Sequence, residues 1–151
     1  METDATIDML LAHKGSNIWS IGPRATVFEA IKMMADKNVG ALLVSEGDKL
    51  IGIISERDYT RKVILKGKSS RETPVMDIIS AKPVVVSPGD KVVDCMRLMT
   101  QKRVRHLPVL DANQKVVGVI SIGDLVNWTI SAQSAAIDQL QKYISGGEYP
   151  G

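Results

Sequence analysis

The chain has 151 residues, 44% of them hydrophobic, 24% charged and 4% aromatic, with a formal net charge of +2. That length suits one domain or two very small ones with core enough to need no staple. The near-neutral charge disfavours nucleic acid as a partner. The single cysteine, Cys95, excludes an internal disulfide and a multi-cysteine zinc cage, and fits a reducing compartment. No apolar run approaches the roughly 20 residues that span a bilayer, and the acidic opening Met1–Asp8 lacks the basic stretch of an export signal. The expectation is a cytoplasmic protein, or one of an organelle lumen if the source is eukaryotic, with no membrane contact.

In chain order, Thr3 is placed to cap a first helix carrying Ile7, Leu10 and Leu11, stopped by Gly15, whose apolar stripe must pack on something. Asn17 to Ile21 reads as a short strand. Thr26 and Glu29 have the spacing of a capping box, and Val27, Ala30, Ile31 and Met34 follow as one buried helical face. Val39 to Ser45 and Leu50 to Ser55 form a hairpin about Glu46-Gly47-Asp48-Lys49, and a helix runs from about Glu56 to Lys66, with Gly67 as its stop. Lys68 to Pro74 is a polar linker of ordinary length, and Val75 to Ser80 a short helix. The same order then returns: a strand at Val84 to Ser87, a cap at Asp90, and a helix face of Val92, Cys95, Met96 and Met99. Strands Val104 to Leu110 and Val116 to Ser121 follow, then a long helix from Ile122 to about Ser145 and a frayed tail.

The return is a repeat. At an offset of 65, Pro23 falls on Pro88, Val27 on Val92, Met34 on Met99, Val39 on Val104, Leu42 on Leu107 and Val44 on Val109. After one extra residue near Asn113, Gly52 falls on Gly118, Ile54 on Ile120, Ser55 on Ser121 and Asp58 on Asp124. The divisions are an N-terminal helix over 1–15, a first unit over 16–67, a linker and short helix over 68–82, a second unit over 83–145 and a tail over 146–151.

Each unit ends in Gly-h-h-Ser-x-x-Asp, with h apolar: Gly52-Ile53-Ile54-Ser55-Glu56-Arg57-Asp58, then Gly118-Val119-Ile120-Ser121-Ile122-Gly123-Asp124. Ser-x-x-Asp before a helix is a capping box in its own right. The same placement lets a carboxylate accept from both hydroxyls of a ribose, as acidic residues do in dinucleotide folds. Free amides at the helix start suit a phosphate, and apolar strand residues offer walls to a base. Cap and ribose ligand are both open, and one site can be each in turn.

Together with Arg105-His106-Leu107-Pro108-Val109, these duplicated motifs make residues 16 to 130 resemble a tandem pair of CBS domains, or Bateman module, of the stand-alone kind found in bacteria and plant organelles. The resemblance implies an α/β (α+β) fold of two pseudo-twofold-related βαββα units packed through their sheets, with two clefts between them. It also implies a sensor of adenosine ligands rather than an enzyme, commonly dimerised into a disc. One cleft is expected to combine Ser55, Arg57 and Asp58 with Val86, Arg105, His106, Leu107 and Pro108. The other is expected to combine Ser121, Gly123 and Asp124 with Ile18, Ser20, Val39, Gly40, Ala41 and Leu42. The ligand order is AMP, then NAD or NADH, with ATP, ADP and S-adenosylmethionine behind. The partners are a second copy and an unidentified protein target.

No catalytic motif and no metal-ligand set stands in the sequence. The basic cluster Arg57, Arg61, Lys62, Lys66, Lys68 and Arg71 reads first as a solvated face, second as phosphate contact from Arg57 or Arg61, and third as a nucleic-acid contact. Cys95 reads as an inert buried thiol, and Trp19 and Trp128 read first as packing anchors, with one of them flanking a base as the second reading. The competing function is a dimerisation or protein-docking module whose clefts stay unoccupied.

Overall fold

A computed structural model describes residues 4–15, 17–79 and 82–145, apart from the side chains of 133–136 and 143–145. Thr3, Ser80 and the tail, given roles above, lie outside these residues. Helix α1 is Ile7–Lys14, β1 is Ser20–Ile21, α2 is Val27–Lys37, β2 is Ala41–Glu46 and β3 is Lys49–Ser55. Helix α3, Glu56–Tyr59, continues as a π-helical turn over Thr60–Ile64, and a 3-10 turn covers Val75–Asp77. The second unit has α4, Val92–Lys102, β4, His106–Leu110, β5, Val116–Ser121, and α5, Ile122–Ser145.

The hairpins form because period-two apolar runs meet across short turns. Strand β2 pairs antiparallel with β3, and Leu42 faces Ile54; β4 pairs with β5, and Leu107 faces Ile120. Strand β1 joins β2 in parallel through the α2 crossover. Its counterpart in the second unit is reduced to one bridge, Val86 to Val109, so the strand expected over Val84 to Ser87 is a single rung. Likewise Asn17 to Ile21 contributes only Ser20 and Ile21 as strand.

Two caps differ from expectation. Helix α1 starts at Thr6 rather than Thr3, and α4 starts at Lys91. The Asp90 carboxylate instead accepts from the Ser87 amide at 2.8 Å, closing the loop ahead of the helix. Thr26 caps α2 as its spacing predicts, accepting from the Glu29 amide at 3.1 Å.

Each unit buries the inner face of its sheet against its own helices. Val27, Ala30, Met34, Leu42, Val44, Ile54 and Val63 make the first core; Val92, Cys95, Met99, Leu107, Val109, Ile120 and Leu125 make the second. The finishing pieces are exchanged. Ala5, Ile7, Leu10 and Leu11, which precede the first unit, complete the second core, while Val75 and Ile78, which precede the second unit, complete the first. The backbone bonds match one for one. Ile7 and Asp8 donate to the carbonyls of Asp90 and Pro88, both at 2.9 Å, and Val75 and Met76 donate to those of Ala25 and Pro23, at 2.8 and 3.0 Å.

Gly118 marks how closely α1 approaches: a Cβ there would lie 2.6 Å from Leu11 Cδ2. The stripe on α1 therefore has its partner in the second sheet. Among the described residues, no helix is long and apolar enough to cross a membrane.

Candidate functional site

Because side chains alternate along a strand, each sheet has a second face turned from its core. Ala41, Leu43 and Ile53 stand on that face of the first sheet; His106, Val119 and Ser121 stand on that of the second. Between them lies a cavity of about 490 Å³, a volume within the usual span of small-molecule sites. The sequence of β2 explains the first wall. Leu42 and Val44 are spent on the core, which leaves Leu43 buried outside either core and facing the other unit.

Of the residues expected in this cleft, Val39, Gly40, Ala41, Leu42, Ser121 and Asp124 line the cavity. Ile18, Ser20 and Gly123 do not. The extended segment leading into β1 turns Trp19 toward the cavity, which sends its neighbours Ile18 and Ser20 the other way, and Gly123 lies exposed beyond the Ser121 cap. His106 was assigned to the opposite cleft, yet it lines this one, since β4 points it away from Leu107. A Cβ built on Gly40 would stand 3.3 Å from Glu56 Oε1 and 4.0 Å from His106 Nε2, so the bare backbone of Gly40 leaves room where the two units meet.

Both Ser-x-x-Asp motifs form reciprocal caps. The Ser121 amide donates to Asp124 Oδ2 at 2.8 Å and the Asp124 amide donates to Ser121 Oγ at 3.1 Å. In the first unit, the Ser55 amide donates to Asp58 Oδ2 at 2.9 Å and the Asp58 amide to Ser55 Oγ at 3.2 Å. Each carboxylate also holds a lysine. Lys62 Nζ lies 3.4 Å from Asp58 Oδ1, and Lys14 Nζ lies 2.5 Å from Asp124 Oδ2. Burial by itself raises the Asp124 pKa, but hydrogen bonds from Lys14 and from the Ser121 amide outweigh it and hold the carboxyl below its ordinary value.

His106 lies among both motifs. Burial lowers its pKa below 6.5; of the surrounding charges Asp124 and Asp58 act against that lowering, while Lys14 and Arg105 add to it. The imidazole is thus kept neutral near pH 7 and able to donate from one nitrogen and accept at the other.

The first expected cleft is less complete. Ser55 and Asp58 are half-buried, Arg57 and Arg105 are exposed, and Pro108 is buried. Val86 and Leu107 belong to the second core. Their side chains point away from the inter-unit space, which leaves only their backbone to face a ligand there. Part of the basic cluster is also tied down: Lys62 donates to the Ile78 carbonyl at 2.9 Å and the Arg71 guanidinium stacks 3.9 Å from the Phe28 ring centre.

Lys14, Asn17, Lys37 and Asn38, for which the sequence offers no such role, line the cavity beside Trp19. The Lys37 ammonium lies 4.4 Å from the centre of the Trp19 ring, so what reads as a packing anchor is an aromatic wall beside a cation. Lys14 carried no local signal, because its place depends on which unit α1 docks against. One did exist at longer range: Ile7-x-x-Leu10-Leu11 and Val75-x-x-Ile78-Ile79 form a matching pair ahead of the two repeats.

Comparison with known proteins places the chain in a family. The CBS-domain family profile matches residues 15–64 and 75–131. The mitochondrial CBS domain-containing protein CBSX3 of Arabidopsis thaliana is 43% identical over 127 residues, which make up 81% of this chain and 61% of that relative, so the chain spans less than two thirds of its length. A protein with CBS domains from Burkholderia ambifaria MC40-6 is 47% identical and superposes with a TM-score of 0.82, covering 85% of this chain and 96% of its own. A CBS domain protein from Pyrobaculum aerophilum, solved in complex with AMP, is 26% identical with a TM-score of 0.70, over 79% of this chain and 88% of its own.

Proposed function

This chain belongs to the CBS-domain family, and from that premise we propose that it is a regulatory module that binds an adenine nucleotide between its two units. Asp124 receives the ribose diol, the apolar faces of β2, β3 and β5 flank the base, and Ser121 and His106 serve the polar remainder. AMP is the first ligand, the one held by the relative from Pyrobaculum aerophilum. NAD or NADH comes next, then ATP, ADP and S-adenosylmethionine.

The observation that carries this reading is an ionised carboxylate on the wall of a cavity bounded by both sheets. Among the described residues, every hydrogen bond to Asp124 falls on Oδ2, so Oδ1 keeps its lone pairs for a ligand hydroxyl. Ligand held across two rigid units biases their mutual angle and so alters the outer surface offered to a partner. The reading contains no catalytic step. Its setting is the cytoplasm or an organelle lumen.

The outer surface favours a homodimer. Ile122, Val126, Ile130, Ile137 and Leu140 are exposed along α5, and Ile64 and Leu65 are exposed after α3. Ile144, on the same helix, has its side chain outside the described residues. Such an apolar stripe suits a second copy and a protein target.

A docking module with vacant clefts is the second reading. The Ser55–Asp58 pair favours it for the first cleft: Lys62 Nζ stands 3.4 Å from Asp58 Oδ1, the oxygen that is free in Asp124, and Ser55 Oγ lies 3.0 Å from Asp58 Oδ2.

Thermal melting against AMP, ADP, ATP, NAD, NADH and S-adenosylmethionine separates the two readings. A ligand at 100 times its dissociation constant adds about 2.7 kcal/mol, and Asp124→Ala removes that gain. Asp58→Ala leaves this cleft's share of the gain intact and removes only what the first cleft contributes. Flat melts across the whole set leave the docking module standing.

A further inference from the structure

We infer that Lys14 is a displaceable counter-ion that makes the cavity select nucleosides bearing a phosphate over those without one. The inference rests on the nucleotide reading and names the class of ligand that this cleft takes. Lys14 is the last residue of α1, and the chain turns at Gly15, whose φ is +91°. The lysine reaches from the helix end to Asp124 Oδ2 at 2.5 Å and to the Val119 carbonyl at 2.8 Å. Its ammonium has a third N–H to offer.

The pair stands between two spaces. Lys14 and Asp124 line the inter-unit cavity, and both also line a second cavity of about 240 Å³ under α1, bounded by His13 and Trp128. Among the described residues, Asp124 is the one acidic residue on the wall of the larger cavity, whereas Lys14 and Lys37 are both cations. One hydroxyl of a ribose diol finds Asp124 Oδ1 open, and the other needs Oδ2, where it competes with Lys14.

A neutral nucleoside leaves the displaced ammonium part-buried and without its counter-charge, which is costly. A phosphorylated nucleoside brings the replacement with it. Lysine, a compact charge on a flexible stem, reaches an anion nearby without any shift of α1. The exchange keeps the ammonium paired before and after binding, so the phosphate, more than the base, decides entry.

The test is a titration of wild-type protein, Lys14→Met and Lys14→Arg with AMP and with adenosine. It is followed through the NMR signal of the His106 ring, which lines this cavity. Wild type is expected to prefer AMP by about tenfold or more, as a charge-assisted bond is worth. In Lys14→Met the preference falls by about tenfold, because AMP loses its partner while adenosine finds the carboxylate uncovered. Lys14→Arg, which keeps the charge, retains most of the preference. A ratio that is equal in Lys14→Met and wild type, or no preference in wild type, overturns the inference and leaves nucleotide binding intact. Failure of both ligands on all three proteins overturns the nucleotide reading and the inference together.

Discussion

If α1 is a working part of the second unit, Leu11 and Gly118 must be energetically coupled. A Cβ at position 118 would stand 2.6 Å from Leu11 Cδ2, 3.0 Å from Cδ1 and 3.4 Å from Cγ. Leu11 is only 9% exposed, so it has little freedom to withdraw. Gly118→Ala should therefore cost about 1–3 kcal/mol through overpacking. Leu11→Ala removes the equivalent of three methylene groups at about 0.8 kcal/mol each, plus a cavity term, for about 2–4 kcal/mol in all. In the double variant the new methyl occupies part of the vacated space, and the combined loss should fall short of the sum by about 1–2 kcal/mol. Urea unfolding of the four proteins, with the denaturant slope unchanged, reads out the cycle. Additivity to within about 0.5 kcal/mol would mean that α1 does not lie on β5. Lys14 would then have no route to Asp124.

Three further outcomes follow from the site and its surroundings. The Asp124 pKa is lower folded than unfolded, so its contribution to stability is whole above the ordinary value of about 4 and is lost as pH falls through the folded value. The stability gap between wild type and Asp124→Asn, measured in urea, should accordingly shrink between pH 7 and pH 3; a constant gap contradicts the assignment. His106 is depressed chiefly by burial, so stability should be lost as pH drops from 6.5 toward its folded pKa, and its ring protons should titrate below 6.5; a midpoint above 6.5 refutes this. Burial first, then Asp90 and Asp94, push the Cys95 thiol up to about 11. A thiol reagent at pH 8 should leave it untouched until urea unfolds the chain, and equal labelling rates in both states would show the thiol to be accessible.

The fold was legible to the extent that local pattern decides it. The hairpins sit where alternation and turn residues put them, with β5 and α5 bounded as read. The long-range pieces were not legible, since exchange of the finishing segments is a choice between two similar apolar surfaces that no window of sequence contains. The site followed the same division. Ser121 and Asp124 announce themselves by spacing, and Gly40 to Leu42 by the register of β2. His106 belongs to the other side from the cleft its motif suggests, since the parity of β4 points Leu107 inward and His106 outward. Bulk alone leaves Trp19 either a packing anchor or a wall for a base, and the turn of the segment before β1 brings it to the cavity. Lys14 was out of reach because α1 had to be docked first.

The exchange of finishing segments bears on how the molecule is made. During synthesis, the stretch holding Ile7 and Leu10 leaves the ribosome before any of its partners among Asp90, Val92 and Leu125 exist. It must remain unsatisfied until the far half emerges, and contacts between such distant parts of a chain slow folding and prolong exposure of apolar surface. The first half, by contrast, finds Val75 and Ile78 as soon as they are translated. A nascent chain halted after the linker should hold one finished lobe and an uncovered α1 stripe, the form in which these residues are most exposed to aggregation.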